Sequence, residues 1–77
     1  MKTLTLLTKN NCELCDIAKD IILKIKSNIP FHFQQKYIDT DSELFEKYKF
    51  KIPVILIDGE EKFFGRISEK LIKAELQ

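Results

Sequence analysis

Thr and Leu alternate along Lys2-Thr3-Leu4-Thr5-Leu6-Leu7 before the segment turns locally apolar, the pattern of a short strand with a buried face that ends near Thr8. Lys9-Asn10-Asn11 follows as a polar turn. After it Leu14, Ile17, Ala18, Ile21, Ile22 and Ile25 recur at intervals of three and four, which is an apolar helix stripe. The opposite face carries Glu13, Asp16, Lys19, Asp20 and Lys24, with Asp20 and Lys24 spaced to attract across one turn. This helix is expected to stop near Ser27-Asn28, ahead of Pro30.

Phe31-His32-Phe33 and Tyr37-Ile38 mark a second strand, polar in its middle at Gln34-Gln35-Lys36 and slipping phase between Phe33 and Ile38. Thr40 with Glu43 three residues on has the form of a capping box, opening a short helix whose apolar face is Leu44, Phe45 and Tyr48. Pro53-Val54-Ile55-Leu56-Ile57 is a continuous apolar run, Asp58-Gly59 is a hairpin turn signal, and Lys62-Phe63-Phe64 returns as the antiparallel partner. Ser68 caps a last helix through Leu71, Ile72 and Leu76, with Ile67 placed to staple against Ile72. The order β-α-β-α-β-β-α implies one parallel crossover and one hairpin, hence an α/β fold with a four-stranded mixed sheet flanked by helices.

Length and charge narrow the function classes. A chain of 77 residues has room for one domain spanning 1–77. Thirteen Lys and Arg stand interspersed with twelve Asp and Glu, so neither nucleic acid nor an anionic membrane is an expected partner. Residues 1–8 are too short and too interrupted for a signal-peptide core, and no apolar run has the length of a membrane span. The expectation is a cytoplasmic monomer. Two cysteines are too few for a disulfide scaffold, so the pair calls for a chemical reason.

Disulfide exchange needs one thiolate to attack and a second thiol near enough to resolve the mixed disulfide, and the spacing Cys12-Glu13-Leu14-Cys15 meets that need. At the boundary between loop and helix, Cys12 is surrounded by unpaired N–H groups and the positive end of the helix dipole, which favour its ionised form. Cys15 lies one turn further in and is expected to be less exposed. Cys12 is therefore read as the nucleophile and Cys15 as the resolving thiol. Lys9 adds a candidate cationic influence on Cys12 or on a ligand, while Glu13 and Asp16 oppose the thiolate. Motifs of this kind lower a thiol from about 8.5 to roughly 3.5–7.5, and the acidic neighbours place Cys12 toward the upper end, with a reducing character.

The segment Leu7-Thr8-Lys9-Asn10-Asn11-Cys12-Glu13-Leu14-Cys15 resembles the active-site turn of glutaredoxins, members of the thioredoxin-like fold. Ile52-Pro53-Val54-Ile55-Leu56-Ile57-Asp58-Gly59 resembles that family's segment with a cis proline facing the cysteines. The acidic Glu-Leu-Cys-Asp context and the ending Phe64-Gly65-Arg66-Ile67 are most similar to the poorly characterised glutaredoxin-like proteins. The resemblance implies a cis peptide at Pro53, and a backbone at Ile52 that pairs with an extended peptide or glutathione. It also implies a ligand-holding role for Gly65. Glu13-Leu14 replaces the usual Pro-Tyr between the cysteines, and only Gly65 remains of a paired glycine, which argues against a full glutathione site.

The resulting expectation is an oxidoreductase acting on a protein or small-molecule disulfide, needing no prosthetic group and reset by a thiol reductant or reductase, with glutathione one such reductant. Two other classes stay open: a module holding glutathione or an iron–sulfur cluster, and a redox-inactive interaction domain on the same fold. No metal site is expected, because His32 is the single histidine and stands mid-strand far along the chain. Arg66 reads as a surface residue, Phe45, Tyr48, Phe63 and Phe64 as core, and Phe50 as part of an apolar docking surface.

Overall fold

In the computed structural model, which describes residues 1–77, Thr3–Thr8 forms the first strand, β1, and every residue from Leu4 to Thr8 is buried. A strand this buried belongs in the middle of a sheet, and β1 stands there. It runs parallel to β2 (His32–Tyr37) on one edge and antiparallel to β3 (Val54–Ile57) on the other. The hairpin partner β4 (Glu60–Phe64) completes the order β2-β1-β3-β4. Asp58 and Gly59 both take positive φ, 51° and 83°, at the two-residue turn, the conformation that an Asp-Gly pair accepts with least strain.

Alternation along the two central strands divides the core. Leu4, Leu6, Ile55 and Ile57 pack on one face with Ala18, Ile22 and Ile25 of α1 (Glu13–Lys26) and Ile72 and Leu76 of α3 (Glu69–Leu76). Leu7 and Val54 pack on the other face with Tyr48 of α2 (Ser42–Tyr48) and with Ile38. The result is a mixed sheet between two helices on one side and one short helix on the other, in the predicted element order. Gln34, the polar residue in the middle of β2, donates from Nε2 to the hydroxyl of buried Thr5 at 2.8 Å. No buried side-chain nitrogen or oxygen is left without a partner.

Several expectations are corrected. The cap of α2 is Asp41, which accepts from the N–H groups of Glu43 and Leu44 at 3.0 and 3.1 Å. Thr40 instead belongs to a 3-10 turn (Ile38–Thr40) and donates its hydroxyl to the Tyr37 carbonyl. That turn also explains the slip of phase before Ile38: β2 ends at Tyr37, and Ile38 is buried after the strand has finished. Lys24 pairs with Glu69 of α3 at 3.3 Å and makes no ion pair with Asp20. Leu14, Ile17, Phe45, Phe64 and Leu71 are exposed despite their apolar spacing. Ser68 caps α3 as expected, accepting from the Leu71 N–H.

Truncating Ile22, fully buried between α1 and the sheet, to alanine is expected to cost about 2–5 kcal/mol. Leu23→Ala, on the exposed side of the same turn, should stay within about 0.5 kcal/mol. Urea titrations with unchanged m-values check both. A second prediction concerns Glu69, whose carboxyl is held below the ordinary carboxylate range by hydrogen bonds first from Lys73 and then from Lys24. A depressed acid stabilises the fold above its unfolded-state pKa and loses that contribution as pH falls through its folded-state pKa. The melting temperature of Glu69→Gln should therefore fall slightly below wild type at neutral pH and converge on it in acid; a gap unchanged between pH 7 and 2 contradicts this.

Candidate active site

The register of the sheet assembles the site. Leu7 stands opposite Val54, so the next position along sets Thr8 level with Pro53. Val54 stands opposite Phe64 on its other side, and the N–H of Gly65 donates to the Pro53 carbonyl at 2.8 Å. On the far edge Thr8 is level with Tyr37, after which the 3-10 turn begins. One end of the sheet thus gathers the loop leading to Cys12, the Ile52-Pro53 segment, Gly65 and the turn containing Asp39.

Cys12 is the N-cap of α1. Its backbone is extended, with φ −122° and ψ 105°, and its carbonyl accepts the first helical bond from the Asp16 N–H at 3.1 Å. Where a helix start ordinarily uses a hydroxyl or carboxylate oxygen, the Cys12 sulfur accepts from the N–H of Cys15 at 3.2 Å. The preceding residue, Asn11, adopts a left-handed φ of 57°, which asparagine tolerates better than most residues and which turns the chain from strand to helix. Cys12 and Cys15 are joined in a disulfide with their Cα atoms 5.2 Å apart. The two cysteines are not equivalent: Cys12 is half-buried, whereas Cys15 is 1% exposed and packed inside.

The loop to Cys12 and the adjoining end of the sheet carry exposed charges and apolar side chains. Lys9, Glu13 and Asp16 are exposed, and the Lys9 ammonium enters no ion pair. Pro53 is buried and follows a cis peptide, as the resemblance implies. The backbone N–H and carbonyl of Ile52 make no hydrogen bond within the chain. Phe50, beside that segment, is 91% exposed, and the Lys49 ammonium lies over its ring and that of Phe45. Phe64, read from the sequence as core, is instead 56% exposed with the Lys51 ammonium 4.8 Å above its ring. Arg66 is exposed. His32 pairs with Thr3 at the opposite end of β1, five strand residues and about 17 Å from this end of the sheet, so it does not join the cysteines.

A family profile described as Glutaredoxin-like domain (DUF836) matches residues 3–77. The chain belongs to the glutaredoxin-like family. Its structure is similar to that of a structural-genomics target protein, XcR50 from X. campestris, at 25% identity over 95% of this chain and 93% of that one, with a TM-score of 0.80. It is similar also to protein Ne2328 from Nitrosomonas europaea, at 19% identity over 99% and 92% of the two chains and a TM-score of 0.85. A mutant thioredoxin from Halobacterium salinarum superposes with a TM-score of 0.75 at 16% identity, over 97% of this chain and 71% of the thioredoxin. These likenesses establish the thioredoxin-like fold, and within it the glutaredoxin-like chain carries a neighbouring, disulfide-capable cysteine pair.

One residue of the site was invisible to sequence reasoning. Asp39 accepts at Oδ2 from both the backbone N–H and the side-chain Nδ2 of Asn10, at 3.3 and 3.0 Å, and thereby joins the loop before Cys12 to the turn after β2. No local spacing announces a contact between residues 29 positions apart. Gly65 is also better defined by the structure, with φ 75° and open space where a Cβ would stand. Gly65→Ala should thus lower stability only by the backbone strain, about 1–2 kcal/mol in urea denaturation; a much larger loss would reveal a packing role that this geometry does not contain.

Proposed function

We propose that this protein is a dithiol oxidoreductase that reduces disulfides in protein or small-molecule substrates. The observation that carries the proposal is the asymmetry of the cysteine pair, a half-exposed Cys12 at the helix cap with a buried Cys15 bonded to it from behind. In the reduced protein the Cys12 thiolate attacks one sulfur of the substrate disulfide, forming a mixed disulfide and releasing the other sulfur as a thiolate that takes up a proton. Cys15 then gives up its proton and attacks the Cys12 sulfur, which releases the second substrate thiol and leaves the Cys12–Cys15 disulfide. Two electrons and two protons pass to the substrate, and an external thiol reductant restores the dithiol.

The surroundings support this reading. The N–H of Cys15 and the helix end favour negative charge on the Cys12 sulfur, whereas Glu13 and Asp16 oppose it, consistent with a moderately acidic thiol and a reducing pair. The unpaired backbone of Ile52 offers an extended substrate segment one donor and one acceptor beside Pro53, and Gly65 borders the same end of the sheet. Lys9 supplies a free cation to a ligand carboxylate or to the thiolate. The chemistry calls for no prosthetic group or metal, and we place it in the cytoplasm, with the chain acting as a monomer. The reductant is a thiol such as glutathione or a dedicated reductase.

The test compares wild type, Cys12→Ser and Cys15→Ser in the reduction of a model disulfide, with glutathione or a thioredoxin reductase system as donor. Wild type should turn over with at least one donor. Cys12→Ser should fall to background, and Cys15→Ser should accumulate a stable mixed disulfide at Cys12 seen by mass spectrometry. Equal rates for wild type and Cys12→Ser would overturn the reading.

A further inference from the structure

We propose that Asp39 is a positioning residue that holds Cys12 in its capping geometry, an inference that rests on the oxidoreductase reading above. Residues 9–11 carry the chain from the central strand to the helix, and their only hydrogen bonds to another part of the fold are the two from Asn10 to Asp39. Both converge on one carboxylate oxygen, and a charged acceptor makes the stronger kind of hydrogen bond. Asp39 is itself anchored. It lies inside the 3-10 turn between buried Ile38 and Thr40, and that turn is closed by the Asp41 N–H on the Ile38 carbonyl at 3.1 Å and the Thr40 hydroxyl on the Tyr37 carbonyl at 2.9 Å. The chain is therefore gripped at Asn10, reverses through the left-handed Asn11, and delivers Cys12 where the Cys15 N–H reaches its sulfur. Released from Asp39, the two asparagines would sample other conformations, and the geometry that stabilises the thiolate would be less populated.

Asp39 is also a negative charge, and its two effects on the thiol have opposite signs. Loss of the clamp raises the Cys12 pKa, whereas loss of a nearby carboxylate alone lowers it. The charged residues flanking Cys12, namely Lys9, Glu13 and Asp16, are the same in every variant compared. The experiment measures the pH dependence of iodoacetamide alkylation at Cys12 in the reduced full chain, with the site read by mass spectrometry and folding checked by circular dichroism, for wild type, Asp39→Ala, Asp39→Asn and Asn10→Ala. Asp39→Ala should raise the midpoint by about half a unit or more, slowing alkylation below the midpoint roughly threefold. Asn10→Ala should also raise it. Asp39→Asn, which keeps an acceptor for the Asn10 side chain, should remain at or below wild type. An unchanged or lowered midpoint in Asp39→Ala overturns the proposal; if that variant does not fold, an unchanged midpoint in Asn10→Ala does so. Alkylation reads the thiol without any disulfide substrate. A wild type inactive in disulfide reduction thus defeats the oxidoreductase reading, while an active wild type with unshifted variants defeats the clamp alone.

Discussion

The pairing of β1 on both edges, parallel to β2 and antiparallel to β3, is the constraint on which the rest of the molecule depends. A strand in that position is covered on both faces, and Leu4, Leu6 and Leu7 divide between the two cores accordingly. The same pairing decides what meets at its C-terminal end. Because β3 runs in the opposite sense, the start of β3 lies beside the end of β1, so Pro53 is brought level with Thr8 although they are far apart in sequence. Because β2 runs in the same sense, its end lies there too, and with it the 3-10 turn that holds Asp39. A change of one residue in either register would exchange the β1 side chains between the two cores and shift Thr8 away from Pro53 or Tyr37.

The proposed chemistry depends on a small asymmetry at the start of α1. Both cysteines belong to one helical turn, yet Cys12 is outside the helix proper with an extended backbone and Cys15 is inside it with its side chain in the core. The turn that makes Cys12 the cap also makes its sulfur the acceptor of a backbone N–H. In the proposed mechanism, capping and thiolate stabilisation are therefore the same interaction, since an electron-rich sulfur both satisfies an orphan N–H group and is stabilised as an anion by it. The carboxylates of Glu13 and Asp16 favour the helix start and disfavour that anion, so the proposed chemistry sets folding against acidity in the first turn.

Outside the site, the contrast between pattern and packing is instructive. The apolar stripe of α1 extends from Leu14 to Ile25, but only Ala18, Ile22 and Ile25 of that stripe are fully covered, and Leu14 and Ile17 remain on the surface at the end nearest the cysteines. Periodicity reports which side of a helix is apolar and cannot report how much neighbouring surface is present to cover it. Phe45, Phe64 and Leu71 follow the same rule and stay exposed. The capping of α2 differed for another reason. Thr40 and Asp41 are both good caps, and the 3-10 turn uses Thr40 first, leaving Asp41 to begin the helix.

Local chemistry in the sequence was enough to determine the element order, the Asp-Gly hairpin, the Ser68 cap, and the placement of Cys12 at a helix start with Cys15 one turn inside. Each of these depends on residues within about one turn or one hairpin of each other, where backbone preference and spacing act directly. The tertiary structure alone decided that Asn10 meets Asp39, that the Gly65 N–H meets the Pro53 carbonyl, and that Lys24 meets Glu69. Those contacts follow from strand register and from helices packing across a sheet, which bring together side chains and backbone groups that no local periodicity connects.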